Sequence, residues 1–158
     1  MTDYLQPLVD LQEQLWTEEN TAKFNRADGN RRLARNSLRS LPAELQVAFV
    51  VTYLDTQVIN GGFDQWITNP TGVYVEESAR VAREIGAVGV ASLIESIVDR
   101  LPKQALADSQ AARIGALSSL SDDDVAFLDQ CDETYFDLRI EFLKLACCAA
   151  GIEVDGSP

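Results

Sequence analysis

Apolar side chains recur along this chain at helical intervals, and no stretch of any length alternates as a β-strand would. In residues 4–16, Tyr4, Leu5, Leu8, Leu11, Leu15 and Trp16 share one side of a short helix whose first turn suits Pro7. Residues 41–58 place Pro42 at a first-turn position and follow it with Leu45, Ala48, Phe49, Thr52, Leu54 and Val58, a helix apolar on more than one face. Asn60-Gly61-Gly62 ends that helix, because Asn and Gly adopt the left-handed conformation that turns the chain. A short helix restarts at Asp64, whose carboxylate is placed to cap it, and runs through Gln65, Trp66 and Ile67 to the breakers Asn69-Pro70-Thr71-Gly72.

Two more helices fit residues 75–85 and 88–101, separated by Gly86 and stopped by Pro102. Residues 103–120 carry a weaker helical pattern with Ala105, Leu106, Ile114 and Leu117 toward the core. Ser121 followed by Asp122, Asp123 and Asp124 is a strong helix start, a hydroxyl cap with carboxylates in the electropositive first turn. Val125, Leu128, Tyr135, Leu138, Phe142 and Leu145 then keep one face apolar as far as Gly151, with Asp137 the place where a break would fall. Residues 20–39 are polar and receive no element from this pattern. The fold class is therefore all-α, a compact single-domain bundle of about seven or eight helices over residues 1–158, its core in about 40–150 and its tail 151–158 frayed.

Composition adds little until charge is counted. Hydrophobic residues make up 46% and charged ones 24% of the 158 residues, an ordinary globular profile. Yet 25 Asp and Glu against 13 Lys and Arg, with no histidine, leave a net charge of −12. Direct binding to nucleic acid or to an anionic membrane is thereby disfavoured, and a partner that uses the charge should be basic. The basic residues gather in Lys23, Arg26, Arg31, Arg32, Arg35 and Arg39, which read as intramolecular counter-charge because Glu18, Glu19 and Asp28 sit among them. Cys131, Cys147 and Cys148 suggest no disulfide framework. With no basic-then-apolar leader and no apolar run of membrane-spanning length, the cytoplasm is the expected location.

Catalytic chemistry finds few carriers. Without histidine there is no Ser-His or Cys-His pair, and three cysteines at this spacing give no zinc site. Gly61-Gly62 alone is not a phosphate loop. Asp122-Asp123-Asp124 reads as a helix start and not as a cation site. No catalytic residue, metal or cofactor is expected; the protein should work by binding.

The carboxylates cluster toward the C-terminal third. Between residues 121 and 141 lie Asp122, Asp123, Asp124, Asp129, Asp132, Glu133, Asp137 and Glu141 against the single base Arg139. Asp129, Glu133, Asp137 and Glu141 stand four residues apart, so a continuous helix aligns them with roughly 6 Å between neighbours. Their mutual repulsion costs about 0.2–0.5 kcal/mol per pair, which a folded helix tolerates. A DNA strand carries a charge every 3.4 Å or so, making one such helix too sparse by about a factor of two. A second acidic element or a second subunit would have to stand beside it, with Glu76, Glu77, Glu84, Glu95 and Asp99 as candidates.

The stretch from Val58 through Asn60-Gly61-Gly62-Phe63-Asp64-Gln65-Trp66 to Asn69 and Gly72 resembles the signature of the DNA-mimic-protein-like family, a helical group. Leu41-Pro42, Ile85-Gly86-Ala87 and Leu128-Asp129 agree with it, so the resemblance covers roughly residues 40–150. Gln57 stands where the pattern leads one to expect an acid. The resemblance implies a protein whose surface charge imitates DNA and blocks a DNA-binding protein. By its chemistry the motif itself is structural: a helix stop, buried Phe63 and Trp66, and Gln65 and Asn69 tying backbone ends.

The expected function is thus an acidic module, compatible with a homodimer, that occupies the DNA-binding surface of a transcription factor or nucleoid protein. Its partner-binding residues would be Asp122, Asp123, Asp124, Asp129, Asp132, Glu133, Asp137 and Glu141 with Glu76, Glu77 and Glu84. Two alternatives predict other chemistry: an immunity-type inhibitor of a basic toxin, and a small-ligand binder or enzyme with a pocket near Gln65, Trp66 and Asn69.

Overall fold

The computed structural model describes residues 3–27 and 29–153. It is all-α, with eight helices among the described residues: α1 (Gln6–Glu13), α2 (Glu18–Ala27), α3 (Arg31–Arg39), α4 (Ala43–Thr68), α5 (Val75–Glu84), α6 (Val88–Arg100), α7 (Gln110–Leu117) and α8 (Asp122–Ala149). Single 3₁₀ turns at Pro70–Tyr74 and Lys103–Leu106 connect them, and no strand occurs among the described residues.

The two longest helices, α4 and α8, pack antiparallel, since Asp55 meets Arg139 while the later Phe63 meets the earlier Asp132. Helices α5 and α6 form a second packed pair, α6 also lies on α8, and α1 covers α4. At the α4–α8 interface four buried rings follow one another edge to face. Phe63 lies 5.9 Å from Trp66 and 5.9 Å from Tyr135, and Tyr135 lies 6.2 Å from Phe142. Such T-shaped contacts are favoured by the ring quadrupole.

Most expected boundaries hold. Ser121 caps α8 by accepting from the Asp124 N–H, and Gly86 takes positive φ where α5 ends. Three details differ. Residues 20–39 form α2 and α3, docked through a narrow stripe of Phe24, Ala27, Ala34 and Leu38. Helix α8 runs unbroken past Asp137, because its inner face stays apolar from Leu128 to Cys147. In 103–120 only a 3₁₀ turn and the short α7 form, with Ala105 and Leu117 inward but Ile114 on the surface. Of the expected frayed tail, residues 154–158 lie outside the described residues, as does Asp28.

The glycine pair kinks α4. Gly61 (φ −165°, ψ 24°) and Gly62 (φ 73°, ψ −176°) leave helical geometry, and the helix restarts at Phe63. A side chain on Gly62 would be strained at positive φ and would run into the Asp132 carboxylate. Gly72 is required by proximity, since a Cβ there would collide with the Ile67 carbonyl.

Candidate protein-binding surface on the last helix

Helix α8 turns one side to the core and one to solvent, and its charges divide accordingly. Arg139, the single base of the acidic stretch, points inward to the fully buried Asp55. Its Nε donates to Asp55 Oδ1 at 2.7 Å and its Nη2 to Oδ2 at 2.9 Å, while the Tyr135 hydroxyl donates to Oδ1 at 2.8 Å. Burial, and then the neighbouring Asp55 charge, pushes the Tyr135 hydroxyl well above its ordinary pKa, so it stays a donor. With Arg139 spent on Asp55, no base of the stretch from Asp122 to Glu141 is left for the outer face; the other base of α8, Lys144, is exposed one turn beyond Glu141 and lies over the Tyr4 ring.

That outer face carries Asp129, Glu133, Asp137 and Glu141, all exposed and forming no ion pair among the described residues. Asp122 and Asp123 extend it at the N-terminal end, also exposed and without a side-chain ion pair there. Phe136 is 51% exposed and Ile140 40% exposed, and helical geometry sets both within this row. The face is therefore acidic with an apolar centre, a pairing that the charge count alone does not reveal.

The other carboxylates expected to join this surface are engaged elsewhere. Asp124 accepts from Arg100 Nε at 2.8 Å and from the Ser121 hydroxyl, which hold its carboxyl below the usual range. Asp132 turns back into the fold and accepts the Phe63 N–H at 2.8 Å, supplying the cap that Asp64 was expected to give. Burial pushes the Asp132 carboxyl up; the Phe63 hydrogen bond opposes this, and the charges of Asp129 and Asp64 add to it. Cys131, the preceding residue, is a buried thiol pushed up to about 11. Cys147 is buried as well, donating to the Tyr4 carbonyl, whereas Cys148 faces solvent.

On α5 the acids are neutralised. Glu77 is buried and accepts from Arg39 through Nε (3.0 Å) and Nη2 (2.8 Å) and from Arg80 Nε (2.8 Å). Burial pushes its carboxyl up, but the hydrogen bonds from Arg39 and Arg80 outweigh that and hold it below the ordinary range. Glu76 pairs with Arg35 and Arg31, and Glu84 with Arg80. On α6, Glu95 pairs with Arg83. Arg31, Arg35 and Arg39 of α3 are thus counter-charge for α5, an intramolecular role of the kind expected for the basic segment. The paired acids of these helices do not furnish a second acidic element, although Asp99 of α6 is exposed and forms no ion pair among the described residues; Asp64 comes beside α8, exposed on α4 and close enough to raise the Asp132 carboxyl.

The glycine motif is a structural clamp. Phe63 and Trp66 are buried, and Gln65 and Asn69 both donate side-chain amides to Gln57 Oε1, the former at 2.9 Å. Gln57 therefore offers the acceptor an acid would have offered, without the charge. Arg113, unremarked in the sequence, is buried against the same motif and donates to the carbonyls of Ile67, Asn69, Ala107 and Asp108. Near the motif lies an open hollow of about 270 Å³ lined by Asp64, Asn69 and Gln110, from which the fully buried Trp66 is excluded. Among the described residues no three Cys, Asp or Glu side chains converge as a metal-holding group, and no helix is long and apolar enough to cross a membrane.

Asp64 was read from the sequence only as a helix cap, and Asp55, Arg113 and the pair Phe136 and Ile140 were not singled out. Only the last carried a local signal, two large apolar residues four apart on the side of a helix that its carboxylates mark as solvent-facing. The family model for DMP19-like protein matches residues 39–148. No curated protein sequence and no solved structure matches the chain.

Proposed function

The chain belongs to the DMP19-like protein family, and on that premise we propose that it is a non-catalytic binding protein whose α8 outer face takes the place of DNA on a basic DNA-binding protein. The observation that carries this reading is the contrast in pairing: Asp129, Glu133, Asp137 and Glu141 form no ion pair among the described residues, while the acids of α5 are held by arginines. Unpaired carboxylates roughly 6 Å apart along the helix lie within one Debye length of each other, about 8 Å at physiological ionic strength, so a basic partner feels them as a continuous field. Asp64 on α4 adds charge beside the row, easing the sparseness of a single helix. Phe136 and Ile140 give the partner an apolar anchor within an acidic rim, the arrangement that concentrates affinity at protein interfaces.

The partner is then a transcription factor or nucleoid protein with a basic DNA-binding surface. Chain immobilised through its N-terminus and exposed to an extract of the source cell should retain such a protein. A rising salt gradient should release it, and duplex DNA should compete for it. Retention that is indifferent to salt and to duplex DNA would contradict the proposal.

A further inference from the structure

Away from the acidic face, Trp16, Phe24, Phe49, Tyr53 and Tyr74 line an open cavity of about 290 Å³. Phe49 of α4 is the hub: its ring lies 5.2 Å from Phe24, 4.8 Å from Tyr53 and 5.0 Å from Tyr74. Trp16, in the connection between α1 and α2, leans on Phe24 at 5.8 Å yet stays 42% exposed. A large aromatic surface is thus left open to solvent beside other rings, where closer packing would have hidden it.

The walls determine what fits. Among the described residues lining the cavity none is charged. An anion would find no cation there and would face a chain of net charge −12. An organic cation would find no carboxylate among the described residues that line the cavity, and the ring faces are already partly turned on one another in tilted and edge-on contacts. The volume is near the lower end of ligand pockets, about 300–1,000 Å³, so a large cofactor is excluded. Polar recognition is available but sparse. The exposed carboxamide of Asn25 stands at the wall and is the polar group a ligand can reach.

We propose that this cavity binds a small neutral aromatic molecule, one or two fused rings bearing a single hydrogen-bonding group. The site is independent of the α8 face and of the partner proposed for it. Of the two tryptophans Trp16 lines the cavity and Trp66 does not, so quenching that Trp16→Ala abolishes reports on this site.

The test titrates the full chain with the neutral dye N-phenyl-1-naphthylamine and competes it with indole, indole-3-acetate and tetramethylammonium. Saturable binding of one dye per chain, Trp16 quenching, and displacement by indole in preference to either ion are expected. Trp16→Ala should weaken the dye by about tenfold or more, while the Phe136→Ala, Ile140→Ala double variant should bind it unchanged. Should Trp16→Ala fail to fold, Asn25→Arg, a change at an exposed position, should shift preference from indole to indole-3-acetate. Equal or better displacement by an ion, loss of the dye with the α8 double variant, or indifference to the cavity substitutions would overturn the assignment.

Discussion

On α5, Glu76, Glu77 and Glu84 each meet a guanidinium, whereas on the outer side of α8 Asp129, Glu133, Asp137 and Glu141 meet none among the described residues. Both helices are acidic, but their neighbours differ. Helix α3 presents Arg31, Arg35 and Arg39 at four-residue spacing to α5, while the lone base of the acidic stretch on α8, Arg139, is drawn inward by buried Asp55. The same side chain is structural where a base faces it and available where none does. A net charge of −12 cannot distinguish these cases; the pairing map can.

The sharpest way to break this comparison is to free the inward base. Arg139→Met leaves the Asp55 carboxylate buried with only the Tyr135 hydroxyl on it, and unfolding in urea should show a loss of about 3–5 kcal/mol. An unchanged midpoint would mean that α8 does not depend on this pair.

Glu77→Gln removes the charge that Arg39 and Arg80 embrace, and should cost about 2 kcal/mol near pH 7. Because the Glu77 pKa is lowered on folding, its contribution is complete above the ordinary carboxylate value of about 4.3 and is lost as pH falls through the lowered one. Acid titration of stability should therefore be shallower in the variant than in the parent over that range.

Asp132 tests the intermediate case of an acid on α8 that has left the surface. Asp132→Ala should cost about 1–2 kcal/mol by orphaning the Phe63 N–H. Asp132→Asn keeps an acceptor and removes a charge that burial disfavours, and should match or exceed the parent at pH 7. Since the Asp132 pKa is raised on folding, its protonated form favours the fold. The advantage of Asn should vanish as pH falls below the ordinary carboxylate range and develop as pH rises through the raised value. Equal losses for Ala and Asn would rule out the capping role.

The smallest effect on stability should come from the outer face. Reversing Asp129, Glu133 and Asp137 to Lys removes like-charge neighbours at about 0.2–0.5 kcal/mol per pair and creates new ones, so thermal melting should shift little.

Helix α8, its Ser121 cap and the kink at Gly61-Gly62 were legible because each rests on residues near in sequence. Helices α2 and α3 were not, although Asn30 does cap α3 by accepting the Leu33 N–H, a local signal present in the sequence. Their apolar stripe is narrow, and ion pairs to α5 do much of the docking, so hydrophobic periodicity is weak. Of the candidate surface, the row at 129, 133, 137 and 141 follows from spacing on a continuous helix. That Glu77 is buried, that Asp132 caps a helix 69 residues away and that Asp55 consumes Arg139 depend on tertiary contacts, which no local pattern encodes.

The central claim is that α8, and not α5 or α6, presents the acidity a partner reads. Its most direct test is one extract capture run in parallel with the parent chain, the Asp129→Lys, Glu133→Lys, Asp137→Lys variant, and a Glu84→Lys, Asp99→Lys control, each confirmed folded by melting. The parent and the control should retain a basic DNA-binding protein that elutes as salt rises, and the α8 variant should not. Capture that survives reversal on α8, or that disappears with the control instead, would contradict the claim.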